Sequence, residues 1–105
     1  MSHTSFPNHL KLQAISLLLA NNPSILRRMF GDRFEILFNQ AQEVLDWGVN
    51  LPKPEQILLR LALDVWSGDG GATLGEVISE LDHCHFEGLL LALECLRYSQ
   101  NRPQS

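Results

Sequence analysis

Asp82, His83, Cys84 and His85 stand consecutively, and the stretch WSGDGGATLGEV, Trp66 to Val77, sets Ser67, Asp69, Thr73 and Glu76 among four glycines. These are residue types from which a thiol nucleophile, a metal site or an ion-binding loop is built. A helix N-terminus acidifies a thiol, and a neighbouring imidazole can take its proton. Cys84 has histidines on both sides, but the pattern supplies neither a group to orient the base nor an oxyanion donor. A small apolar cysteine is the simpler reading. A metal on His83, Cys84 and His85 meets a geometric objection, since neighbours on a helix point about 100° apart while ligands converge at a spacing of four. Asp69, Asp82, His83 and Cys84 therefore define a cation-binding or thiol-dependent alternative, and the expectation is no catalysis, no metal and no cofactor.

The glycine stretch fails two ligand tests and passes a structural one. Aligned as a calcium loop on Gly70 and Glu76, it puts Val65 where the first acidic ligand belongs, with Asp64 one residue out of register. Read as a phosphate loop, it follows its last glycine with Glu76 and Val77, which would repel the anion. Thr73 and Glu76 have the spacing of a capping box, so the stretch is expected to be a hinge. Gly68, Gly70 and Gly71 would supply positive-φ turns, Asp69 a turn residue, and Thr73 the restart of a helix. Arg60 and Asp64, four apart, read as an ordinary surface ion pair.

These groups must be positioned by helices, because the apolar pattern is helical throughout and shows no hairpin signal. The first helix is expected from Pro7 and Asn8 to about Ala20. The second begins at Pro23, capped by Asn22, and ends near Phe30 and Gly31. Asp32 and Glu35 resemble a capping box for a third helix reaching Trp47, with Gly48 as its stop and Phe34, Leu37, Phe38, Ala41, Val44 and Leu45 as its apolar stripe. A fourth helix follows from about Pro54 to Trp66. A fifth runs from Thr73 to about Leu81, and a sixth, capped by Asp82, from His83 to about Tyr98. The expected fold is all-α, a single orthogonal bundle of five to six short helices with helices four and six central. Residues 7–98 form one domain, between a disordered segment 1–6 and a frayed polar tail 99–105. The last two helices have helix-turn-helix rhythm. Residues 61–105, however, hold two basic and seven acidic side chains, the reverse of what a phosphate backbone attracts.

Two surfaces point to protein partners. On helix six, Cys84, Gly88, Ala92 and Cys95 form a row of small residues, which lets another helix come close, either within the chain or in a two-fold dimer. Ile36 and Trp47 interrupt the polar side of helix three. Cys84 and Cys95 lie roughly 16 Å apart on one helix, too far to bridge, which suits free thiols and a cytoplasmic home. No apolar run approaches the ~20 residues of a membrane span, and the first residues lack a secretory pattern. The expected function is a non-catalytic protein-interaction module, an adaptor or accessory regulator that is homodimeric. A transcriptional regulator with a degenerate helix-turn-helix is the alternative.

Overall fold

The computed structural model describes residues 7–33 and 35–101, with side chains up to residue 98. Among these residues the chain is an all-α bundle without strands: α1 (Asn8–Leu18), α2 (Pro23–Met29), α3 (Ala41–Trp47), a 3-10 turn (Gly48–Asn50), α4 (Lys53–Trp66), α5 (Leu74–Glu80) and α6 (His83–Asn101). The segment 1–6, Phe34 and residues 102–105 lie outside the described residues. α6 runs on past Tyr98, so the expected tail is helical to Asn101.

Proline sets the starts of α1, α2 and α4, where a missing N–H costs nothing. The Pro7 carbonyl accepts the N–H groups of Leu10 and Lys11, and the Pro52 carbonyl accepts that of Gln56. Pro23 opens α2 as expected, but the Asn22 side chain makes no cap bond; its backbone carbonyl alone accepts from Ile25 and Leu26. The Lys11 ammonium donates to the Trp66 carbonyl at 2.8 Å and lies over the Trp66 ring. It thus places a cation at the negative end of α4. Trp66 in turn meets Phe30 edge-on, with ring centroids 5.1 Å apart. Its role is to close the core.

α4 is the central element, burying Ile57, Leu58, Leu59, Ala62 and Leu63. α1 packs against both α4 and α6, contributing Ala14, Ile15, Leu18 and, just past its end, Leu19. Helix six was expected to be central beside helix four, and the structure corrects this. α6 gives the core only Leu89, Ala92 and Leu96, while Phe86, Leu90, Leu91 and Leu93 stay exposed.

The third helix is corrected too. It begins at Ala41, not at Asp32. Residues after α2 instead turn back on it: Gly31 N–H donates to the Glu35 carbonyl, Leu37 N–H donates to the Met29 carbonyl, and Phe30 and Ile36 form an antiparallel bridge. The Glu35 carboxylate accepts from Arg33 N–H, within the loop. Phe38 packs edge-on to Phe30, and that tertiary contact outweighs a helical periodicity that is only local. Leu37, expected on the buried stripe, is exposed.

Candidate interaction surface

Asp64 organises the glycine loop. Its carboxylate accepts the N–H groups of Gly70 at 2.8 Å, Gly71 at 3.0 Å and Ala72 at 3.2 Å. This replaces the expected Arg60–Asp64 ion pair. Arg60 reaches forward instead, to both carboxylate oxygens of Glu76 at 3.1 and 3.2 Å. The positive-φ residues are Gly68 and Gly71; Gly70 is required for a different reason, because a Cβ there would fall 1.8 Å from the Arg60 carbonyl oxygen. Asp69 accepts from the Ser67 hydroxyl at 2.8 Å, as a turn residue does.

The capping box forms as its spacing implies. Glu76 N–H donates to the Thr73 hydroxyl, and Thr73 N–H donates back to the Glu76 carboxylate, each at 3.2 Å. The Thr73 N–H holds the Glu76 carboxyl below the usual carboxylate range, assisted by the Thr73 hydroxyl and the Arg60 guanidinium. Loop, cap and arginine form one polar clasp that joins α4 to α5.

At the next turn, Asp82 Oδ1 accepts the His85 N–H at 2.9 Å and caps α6. His83 Nε2 lies 3.1 Å from a Glu87 carboxylate oxygen. Cys84 is exposed, Cys95 is half-buried, and both are free thiols. Among the described residues, no group of three His, Cys, Asp or Glu side chains converges as a metal site would require.

The small-residue row divides the same way. A Cβ on Gly88 would meet the backbone of α1, with the Leu17 carbonyl oxygen at 3.2 Å, and Ala92 is only 1% exposed. The row is used within the chain, letting α1 and α6 approach closely. Of the two readings of the row, Gly88 and Ala92 follow packing within the chain, because α1 already occupies the space a partner helix would need. Ile36 and Trp47 are both exposed, at 48% and 37%, with Arg28 over the Trp47 ring. The loop that carries Ile36 precedes α3, so the two residues do not share a helix face.

What remains is the outer face of α5 and α6. Leu74 and Ile78, one turn apart on α5, are 75% and 69% exposed. Ile78, Leu81 and Phe86 wall a shallow cleft of about 300 Å³ that also touches Asp82 and His83. Beyond Phe86, Leu90 and Leu93 extend the apolar surface along α6 at 45% and 48% exposure. Sequence periodicity places Phe86, Leu90 and Leu93 on one side of the helix. It does not say that this side faces water.

Compared with protein-family models, curated proteins and solved structures, the chain matches none. The functional reading rests on the geometry alone.

Proposed function

We propose that this protein is a non-catalytic interaction module that holds another protein chain on the apolar face formed by α5 and the outer side of α6. One observation carries the reading: Leu74 and Ile78 are exposed on α5, Phe86, Leu90 and Leu93 are exposed on α6, and Ile78 and Phe86 wall the same cleft between the two helices. Scattered apolar side chains are normal on a protein surface, but a contiguous patch is a mark of binding. Roughly half of Leu90 and of Leu93 is still in water, so covering them would stabilise a complex by on the order of 1 kcal/mol apiece. The acidic second half of the chain weighs against nucleic acid as the occupant. No described helix is long and apolar enough to cross a membrane.

The test is the Leu90→Glu/Leu93→Glu double variant. On this reading its monomeric fold melts within a few degrees of the wild type, because neither leucine is core, while association measured by sedimentation is lost. A large fall in melting temperature with association unchanged would show that these leucines serve the fold and not a partner.

A further inference from the structure

We infer that the partner on this face is a second copy of the chain, with the two α6 helices antiparallel and Arg97 of each seated in the other's cleft between Ile78 and Phe86. This rests on the interaction reading above and specifies its occupant. His83, Phe86, Leu90, Leu93 and Arg97 follow one another at spacings of three, four, three and four. That is the repeat of a helix seam made to meet another helix. Among the described residues none fills this role, since α1 packs on the other side of α6, against Gly88 and Ala92.

Charge decides the direction. In a parallel pair the seam residue Arg97 would face the partner's Arg97, a like-charge contact. In an antiparallel pair with Leu90 opposite the partner's Leu93, Arg97 comes level with the partner's Phe86, beside the partner's Glu87. The cleft there suits an arginine. Ile78, Leu81 and Phe86 give apolar walls for its methylene stem, and the Asp82 carboxylate, 65% exposed, stands in the lining for its guanidinium. A two-fold axis builds the contact twice, as closed dimers do.

Sedimentation equilibrium of the full chain, at tens of micromolar and low salt, is expected to give twice the monomer mass of 11.9 kDa. Arg97→Glu and Glu87→Arg should each weaken the dimer at least tenfold, and the Arg97→Glu/Glu87→Arg combination should recover most of that loss. Circular dichroism is the control, expected to show each surface variant as helical as the wild type. A wild-type monomer overturns the self-pairing and leaves a different protein as occupant. A dimer that Leu90→Glu dissociates but the charge exchange does not restore overturns the antiparallel register. A dimer untouched by Leu90→Glu overturns the use of this face, and the interaction reading with it.

Discussion

Asp64 shows what a single side chain does when it gathers a loop. A glycine-rich segment presents several N–H groups in one direction, and one carboxylate on α4 accepts three of them. Asp64→Ala leaves those donors without their acceptor and should cost about 2 kcal/mol, read as a lower denaturant midpoint at unchanged slope. Gly70→Ala acts sterically, since its Cβ would meet the Arg60 carbonyl oxygen at 1.8 Å. A loss of about 1–3 kcal/mol is expected. Gly68 and Gly71, the positive-φ residues, have open space beside them, so alanine there is opposed by backbone conformation alone. Of these roles, the glycine turns were legible in the order of residues. The Asp64 interaction was hidden, because its partners lie six to eight positions ahead, beyond the three- and four-residue spacings by which helix pairs are recognised.

At the scale of elements, the same short-range pattern succeeded in one place and failed in another. Thr73 and Glu76, three apart, formed their reciprocal cap, and Asp82 capped α6. Thr73→Ala should lower stability by about 1 kcal/mol in a thermal melt. The Glu76 interaction is also pH-dependent. Its carboxyl titrates lower in the folded than in the unfolded chain, so its stabilisation is present at neutral pH and lost as pH falls through the folded value. The melting-temperature gap between wild type and Glu76→Gln should therefore shrink on acidification through and below the usual carboxylate range. The Asp32–Glu35 pair had the same three-residue spacing and capped nothing, because Phe30 and Ile36 bridge across it. Gly88 belongs to this scale as well. With α1 backbone 3.2 Å from its Cβ position, Gly88→Leu should force the two helices apart. Such overpacking costs about 1–3 kcal/mol, a fall of roughly 4–20 °C for a domain of this size. Were the row a dimer seam, the same substitution would leave the monomer's melting point unmoved.

For the molecule as a whole, the distribution of apolar helices is uneven. α1 and α4 are sheltered, whereas α5 and α6 keep one side in water. Salt should report how any partner is held. If Arg97 contributes as proposed, association should weaken as ionic strength rises past the point where the Debye length shortens to about 8 Å, yet not vanish, since Leu90 and Leu93 are indifferent to salt. Thermal stability of the dilute monomer should hardly respond.

Residue order alone determined that the described residues form an all-α fold, where α4, α5 and α6 begin, and that a glycine hinge separates α4 from α5. Those features arise from proline, from caps and from bonds spanning a few residues, so neighbouring positions suffice to specify them. Tertiary structure decided that α3 starts at Ala41 and which side of α6 is hidden. α6 is apolar on two sides, and a helix taken alone has no preference between them. The choice fell to α1, far away in the chain, whose backbone fits against Gly88 and Ala92 and so turns Phe86, Leu90 and Leu93 toward water.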